Sequence, residues 1–215
     1  MKICLAGCGG IGRLLAPPLA RMYPEAEWAL YDNDFFEEHN CGRQCFPREH
    51  IGWNKAVSLA VFLRKLGVML AIDHPEGVND EFAEEADLFV GATDNIQSRR
   101  TLAKRAAVTS SRFLYVGNEV DQAEAFIWAH NHDAFLSNIV SNRSPAVWFP
   151  NWDAEDDFHM QGRSCMTPEA APQTAAANMM AASLGIWLLD LNQRNVPAWR
   201  MIAGPDGTIT TLYRE

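Results

Sequence analysis

The stretch "KICLAGCGGIG", residues 2–12, decides the fold. Its first five residues are a short apolar run typical of a buried strand, and a helical run to about residue 21 follows the loop. "WALY", residues 28–31, predicts a second strand that ends at Asp32. Strand, glycine loop, helix and strand form the first unit of a nucleotide-binding doubly wound sheet. The loop glycines fit G-x-G-x-x-G with one addition: Gly7, Gly9, Gly10 and Gly12.

The later segments extend this α/β pattern. Apolar periodicity predicts helices over 54–66, 98–108 and 173–192, and acidic residues suggest a short solvated helix over 80–86. Strands are predicted over 68–73, 112–120 and 123–129, residues 87–95 are predicted as a strand that runs into a polar turn, and a final hairpin turns at Asp206 and Gly207. The fold class is therefore a Rossmann-like, doubly wound, mostly parallel sheet with an antiparallel C-terminal extension. Pro17 and Pro18 should kink or shorten the first helix.

Length and pattern favour one domain. The 215 residues, 48% of them hydrophobic, suit a single unit without a clear linker. Residues 1–129 form the expected nucleotide-binding core, and residues 165–215 form a C-terminal helix and hairpin. Between them, residues 130–164 are polar, aromatic and interrupted by proline, which is typical of a crossover or lid segment.

Composition excludes several classes of protein. No apolar run reaches the length of a membrane span and no signal peptide is recognisable, so we expect a cytoplasmic protein without a membrane partner. Five cysteines, an odd number, argue against a disulfide framework. The formal net charge of −9 disfavours general nucleic-acid binding, which depends on a basic surface.

Two features indicate a nucleotide. Glycines before a helix let phosphate approach backbone N–H groups at the helix N-terminus. Asp32, twenty residues past the last loop glycine, lies where a carboxylate can accept ribose hydroxyls. These two features are compatible with either NAD or ATP.

Three further residues favour ATP. Arg43 and Lys55 could both bind phosphates. The planar guanidinium of Arg43 can donate two parallel hydrogen bonds, and the ammonium group of Lys55 supplies a compact positive charge. Asp94 follows the fourth predicted strand, and a carboxylate beside a triphosphate suits Mg²⁺. A dehydrogenase would leave Lys55 and Asp94 without a role.

Four motifs in order carry a family resemblance. "GCGGIG", "YDNDFFEEHNCGRQCF", "IGWNKA" and "GATDN" resemble the ThiF/MoeB/HesA superfamily of ubiquitin-activating-enzyme-like adenylyltransferases. The finer pattern around "GRQCF" and "SCMTPEA" is similar to small ThiF-family proteins of bacterial PRTRC-type operons. The resemblance covers about residues 2–128 and, more weakly, the region of Cys165 and the final hairpin.

The resemblance implies roles for individual residues. Asp32 would bind the ATP ribose, with Asp34 of the same D-x-D motif flanking the site, and Asp94 would hold Mg²⁺. The residues that would contact the phosphates or position the attacking carboxylate are Asn40, Arg43, Gln44 and Lys55.

The resemblance also implies a reaction and partners. The C-terminal carboxylate of a ubiquitin-like or sulfur-carrier protein would attack ATP and form an acyl-adenylate. Cys165, near the start of a helix that would favour its thiolate, could then act in thioester or persulfide chemistry, or be an inert half-buried cysteine. A conjugating enzyme is a possible further partner, and relatives suggest a homodimer.

This chain departs from the superfamily in three respects. Cys41 and Gly42 replace the more usual Leu and Asn or Gln before the Arg-Gln pair. The zinc-binding C-x-x-C pairs of many members are absent. No helix precedes the first strand to lend an arginine to a partner's ATP. Arg13 is a candidate for that arginine, although a solvated helix arginine is the stronger expectation.

Other interpretations stay open. They are an NAD-dependent oxidoreductase, a superfamily member that activates a small molecule or an RNA base, and a non-catalytic scaffold. His130 and His132 form H-x-H, which without a third ligand is more typical of solvated loop histidines than of a metal site.

Overall fold

A single eight-stranded sheet organises the computed structural model, which describes residues 1–79, 81–118, 122–128 and 174–213. Its strands run in the order β3-β2-β1-β4-β5-β6-β7-β8. The first five in this order are parallel, and β6, β7 and β8 continue antiparallel. The predicted fold class is confirmed. The strands are β1 Lys2–Ala6, β2 Glu27–Tyr31, β3 Ala71–His74, β4 Leu88–Gly91, β5 Arg112–Asn118, β6 Ala123–Trp128, β7 Ala198–Ala203 and β8 Ile209–Tyr213.

Helices cover both faces of the sheet. The described α-helices are α1 Gly10–Met22, α2 Lys55–Lys65, α3 Ile96–Val108 and α4 Ala175–Gln193. Buried side chains of α1, α2 and α4 join one apolar cluster with one face of the strands, and those of α3 join a second cluster on the opposite face. Strands β1, β2, β4 and β5 are buried on both faces along most of their length, which explains why they are nearly continuous apolar runs in the sequence.

Helix α1 continues through both prolines to Met22, so the predicted shortening does not occur. Each proline removes one helical N–H donor. Leu15, Ala16 and Leu19 of this helix are fully buried in the core. Tertiary packing of this apolar face therefore outweighs the lost hydrogen bonds.

Strand β3 begins three residues later than the sequence predicts. Gly67, with φ +97°, follows the end of α2, and the N–H of Val68 donates to the carbonyl of Leu63 at 3.1 Å. This is the left-handed glycine cap that ends many helices. Val68 therefore belongs to the capping turn, and the strand begins at Ala71.

The short helix expected over 80–86 does not form in the described residues 81–86. The Arg105 guanidinium donates to the carbonyls of Ala83 and Glu84, which a helix would have used internally. The Glu84 carboxylate accepts from Lys2 Nζ and from the Tyr31 hydroxyl, each at 2.7 Å. These long-range contacts take the place of helical hydrogen bonds in this segment.

The C-terminal part confirms a helix and a hairpin. Thr174 caps α4, accepting from the N–H of Ala177 at 3.1 Å. β7 and β8 pair antiparallel around Gly207, which has φ +80°. The predicted crossover over 130–164 and Cys165 lie outside the described residues. Across the described ranges, no helix is both long enough and apolar enough for a membrane crossing.

Candidate functional site

The carboxyl ends of the parallel strands surround one cavity of about 490 Å³. That volume suits a small-molecule ligand. Four separate turns, after β1, after β2, before α2 and after β4, contribute to its wall. Ten of the residues singled out in the sequence line it: Gly7, Gly9, Gly10, Asp32, Asp34, Asn40, Arg43, Gln44, Lys55 and Asp94.

The glycine loop is shaped by close backbone contacts. Gly7 has φ +88°, and a Cβ there would lie 2.4 Å from the carbonyl oxygen of Ala92, so only glycine fits. Gly12 does not line the cavity; a Cβ on it would lie 1.9 Å from the carbonyl oxygen of Gly7. No side chain caps the start of α1, where Gly9 is the N-cap. The first N–H groups of α1 therefore form a site suited to an anion.

Asp32 is held by two backbone donors. Its Oδ2 accepts from the N–H of Cys8 at 2.7 Å, and its Oδ1 accepts from the N–H of Asp34 at 2.9 Å. Burial raises its pKa to about 6, although the Lys55 charge and the two hydrogen bonds act in the opposite direction. The carboxylate is thus fixed in orientation and ionised at neutral pH, as a ribose acceptor requires.

Lys55 is buried beside the same loop. Its Nζ donates to Asp34 Oδ2 at 2.8 Å, and its side chain is 9% exposed. The preceding Asn54 caps α2, accepting from the N–H of Ala56 at 2.9 Å, and its Nδ2 donates to the carbonyl of Asp32 at 2.7 Å. One asparagine therefore ties the N-terminus of α2, and with it the lysine, to the acidic loop.

The segment with Arg43 and Gln44 is an ordered turn. The carbonyl of Asn40 accepts from the N–H groups of Arg43 and Gln44, at 3.0 and 2.9 Å, and Asn40 Oδ1 accepts from the N–H of Glu37 at 3.0 Å. All three side chains are buried against the cavity, each less than 10% exposed.

Arg13 is buried, and the expectation of a solvated helix arginine is wrong. It is 4% exposed, its Nε donates to the carbonyl of Cys45 at 3.1 Å, and its guanidinium carbon lies 3.7 Å from the centre of the Phe62 ring. Burial lowers its pKa to about 10. The contacts explain the discrepancy, since a carbonyl and an aromatic face replace water around the guanidinium. Arg13 therefore anchors the loop that carries Arg43 to α1.

Asp94 and Arg99 lie at the β4 side of the cavity. Asp94 is exposed, and no described side chain or backbone group pairs with its carboxylate. Arg99 donates from Nε and Nη2 to the carbonyl of Thr93, at 3.0 and 2.7 Å, with its guanidinium 4.8 Å from the Tyr115 ring centre. Nothing in the sequence marked Arg99 out from the other basic residues of its helix.

The Asp94 carboxylate is the candidate ligand for Mg²⁺. Within the described parts of the chain, no three His, Cys, Asp or Glu side chains converge as a metal site. Mg²⁺ at nucleotide sites commonly uses one or two carboxylates and completes its shell with substrate phosphates and water. One unpaired hard oxygen ligand at the cavity wall therefore fits this ion.

The remaining predictions concern one cysteine that the structure describes and three residues that lie outside the described ranges. Cys8 is fully buried in the glycine loop, and burial raises the pKa of its thiol well above the usual value, as expected of a small packing residue. Cys165, His130 and His132 lie outside the described residues.

One asparagine of the cavity wall, Asn118, and a second behind it, Asn178, were not found by the sequence analysis. Asn118 ends β5 and lines the cavity, and its Nδ2 donates to Oδ1 of Asn178 at 3.1 Å. Asn178, on α4, is 1% exposed and donates from Nδ2 to the carbonyl of Arg43 at 2.9 Å. No local pattern could have revealed them, because their partners lie 60 and 135 residues away.

Comparison with known proteins agrees with this geometry. The model of the ThiF family matches residues 1–193. The ATP-dependent ubiquitin transferase-like protein Cap2 of Vibrio cholerae serotype O1 is 36% identical over 90 residues, which are 40% of this chain and 15% of Cap2. This chain is thus similar to a small part of that larger protein.

Solved structures show the same fold. The crystal structure of E. coli MccB with ATP has a TM-score of 0.70 at 19% identity, covering 99% of this chain and 63% of MccB. PaaA has a TM-score of 0.72 at 16% identity, covering 99% of this chain and 72% of PaaA. At such identities the likeness concerns the fold alone. Because the family match extends over residues 1–193, the chain belongs to the ThiF family.

Proposed function

We propose that this protein uses ATP to adenylate the C-terminal carboxylate of a ubiquitin-like or sulfur-carrier protein. The observation that carries the proposal is the meeting of Asp32, Arg43, Lys55 and Asp94 around one cavity. These residues come from four turns that are far apart in the sequence. A carboxylate for ribose, two cations for phosphate and an unpaired carboxylate for Mg²⁺ together match one ATP molecule.

In this reaction the protein contributes more by aligning the reactants than by covalent catalysis. An oxygen of the substrate carboxylate attacks the α-phosphorus, the bond from that phosphorus to the bridging oxygen breaks, and pyrophosphate leaves with the electron pair. In this scheme Asp32 fixes the nucleoside, and the amides at the start of α1 hold phosphate oxygens. Arg43 and Lys55 offset the negative charge that would otherwise repel the incoming carboxylate.

Lys55 is prepared for this role before ATP binds. Its 2.8 Å ion pair with Asp34 holds the ammonium group at the cavity wall, so little side-chain freedom is lost on binding. Mg²⁺ held by Asp94 would neutralise charge on the phosphates and the leaving pyrophosphate. Arg99, fixed on the Thr93 carbonyl, adds a further positive charge beside Asp94.

The relatives support a polypeptide substrate. Cap2 carries the name of a ubiquitin transferase-like protein, and MccB has been crystallised both with ATP and with MccA. Thioester or persulfide chemistry at Cys165, transfer to a conjugating enzyme, a homodimer and a cytoplasmic location remain predictions.

An NAD-dependent oxidoreductase fits the cavity less well. It would use the glycine loop and Asp32, but not the buried ammonium of Lys55 or the carboxylate of Asp94. Thermal-shift measurements should therefore show stabilisation by ATP with Mg²⁺ that exceeds stabilisation by NAD.

Exchange of labelled pyrophosphate into ATP tests the proposal directly. A panel of ubiquitin-like proteins ending in glycine serves as the acyl substrate. Exchange should depend on one of them and should fall to background in Asp94→Ala, with the unfolding temperature unchanged because Asp94 is exposed. Asp190→Ala is the matched control, since Asp190 forms only a surface ion pair with Arg194 on α4.

Two results would contradict the proposal. Full exchange activity in Asp94→Ala would remove the assigned metal ligand. Stabilisation by NAD alone, without any response to ATP and Mg²⁺, would favour the oxidoreductase.

A further inference from the structure

The cavity wall next to Asp32 contains an asparagine amide that the fold does not use. Asn33 lines the cavity and is an exposed residue. Among the residues that the structure describes, none forms a hydrogen bond with the amide of its side chain. An amide has both a donor and an acceptor. The Asn33 side chain is therefore available to a ligand in the cavity.

This side chain lies toward the loop that follows β3. A Cβ built on Gly77 of that loop would lie 3.3 Å from Asn33 Oδ1 and 3.4 Å from its Cγ, so the glycine leaves room for the amide. Gly77 lines the cavity as well. The contact between two wall residues places the Asn33 amide at the cavity, on the β3 side of Asp32.

The orientation expected of a bound nucleotide puts its base on this same side. The strand order is β3-β2-β1; Asp32 follows β2, and the glycine loop follows β1. The base and the phosphates of a nucleotide are attached to opposite ends of the ribose. With the ribose at Asp32 and the phosphates at the glycine loop, the base extends toward β3 and Asn33.

Val78 and Ala92 provide apolar surface for a planar base. Both line the cavity, and Val78 is 8% exposed. The carbonyl of Val78 accepts from the hydroxyl of Ser98 at 3.3 Å, which ties the loop after β3 to the first turn of α3. Apolar groups against the faces of the base and an amide at its edge are the combination typical of a specific ligand pocket.

We infer that Asn33 accepts a hydrogen bond from the 6-amino group of adenine and so contributes to the selection of ATP. This inference rests on the proposed function, which requires ATP. Asparagine is a common partner of the adenine amino group in proteins that read bases. No described residue fixes the Asn33 amide, so it can rotate to present its oxygen. A base without the amino group leaves that oxygen without its donor and binds less tightly.

Calorimetry with two nucleotides tests the inference without turnover. The first is ATP, and the second is purine riboside 5′-triphosphate, in which hydrogen replaces the 6-amino group. Both are titrated with Mg²⁺ into the full chain in the absence of any acyl substrate. The ratio of the two affinities removes contributions from the ribose and the phosphates, which the nucleotides share.

The wild-type protein should bind ATP about fivefold more tightly than the analogue, equivalent to about 1 kcal/mol. In Asn33→Ala the ratio should fall to about one, with the unfolding temperature unchanged because Asn33 is exposed. Asn33→Asp retains an acceptor oxygen and should retain the preference. His39→Ala is the matched control, since His39 lines the same cavity in the segment before Arg43, and it should keep the fivefold ratio.

The outcomes separate the inference from the proposed function. If ATP with Mg²⁺ does not bind to the wild-type protein, both ideas fail. If ATP binds but the analogue binds equally tightly, the proposed function stands and the role of Asn33 is refuted. That role is also refuted by a preference that persists in Asn33→Ala, or by one that Asn33→Asp loses as completely as Asn33→Ala.

Discussion

Binding of adenosine should weaken about tenfold between pH 7.5 and pH 5. Burial raises the pKa of Asp32 to about 6, so about a tenth of its side chains are ionised at pH 5 and nearly all at pH 7.5. Only the carboxylate can accept both the fixed backbone donors and the ribose hydroxyls. Since protonation must be reversed before ribose binds, the apparent affinity follows the ionised fraction.

Adenosine is the appropriate probe because it carries no phosphate that titrates in this range. Calorimetric titrations at several pH values would give the midpoint, which we expect near 6. The Asp32→Asn variant has no carboxyl group to titrate, so its weaker binding should be nearly independent of pH. Equal affinities of the wild-type protein at pH 5 and 7.5, or an unchanged pH dependence in Asp32→Asn, would refute the role assigned to Asp32.

Three other predictions concern the frame of the site. Gly10→Ala should lower the free energy of unfolding by about 1–3 kcal/mol through the clash with Asn178, and in denaturant titrations its cost combined with Asn178→Ala should be less than the sum of the two single costs. Asn54→Ala should cost about 1 kcal/mol as a lost helix cap and also weaken adenosine binding, because Asn54 holds the carbonyl of Asp32. In Glu84→Gln, the free energy of unfolding should fall less between neutral and acidic pH than in the wild-type protein, because the glutamine cannot take up a proton. Its affinity for adenosine should be unchanged, since residue 84 lies outside the cavity wall.

The sheet was predictable because its strands are continuous apolar runs and its turns contain glycine. Predictions were wrong where contacts with residues outside a segment decide its local structure. Val68 has the composition of a strand residue, but its N–H is used by the cap of α2. The acidic segment at 81–86 is not helical because Arg105, about twenty residues away, binds two of its carbonyls. Such contacts have no signature in the segment itself.

The candidate site, too, was only partly predictable from the sequence. The glycine loop and the motifs that contain Asp32, Arg43, Lys55 and Asp94 are each visible in a short stretch of sequence. The contacts that hold these residues in position are not visible in the sequence. Residue spacing does not reveal that Arg13 is buried against an aromatic ring. It also does not reveal the hydrogen bonds that join Asn118 to Asn178 and Asn178 to the Arg43 carbonyl. Each of these contacts joins elements that only the tertiary fold brings together.

The partly buried carboxyl groups of Asp32 and Glu84 have pKa values shifted in opposite directions, and their effects on stability are therefore opposite. The raised pKa of Asp32 means that the folded state holds its proton longer than the unfolded chain, so Asp32 lowers the free energy of unfolding as pH rises from about 4 to about 6. For Glu84, burial is outweighed by hydrogen bonds from Lys2 and Tyr31, and its pKa is lowered; its stabilising contribution is present at neutral pH and is lost as pH falls through that lowered pKa.

The contrast separates a structural carboxylate from a binding one. Glu84 has partners within the fold that offset its burial. The hydrogen bonds and the Lys55 charge around Asp32 do not offset its burial, so the ligand-free protein is less stable at neutral pH. A ribose that donates hydrogen bonds to the ionised form of Asp32 should lower its pKa, so binding should recover stability that the empty cavity lacks.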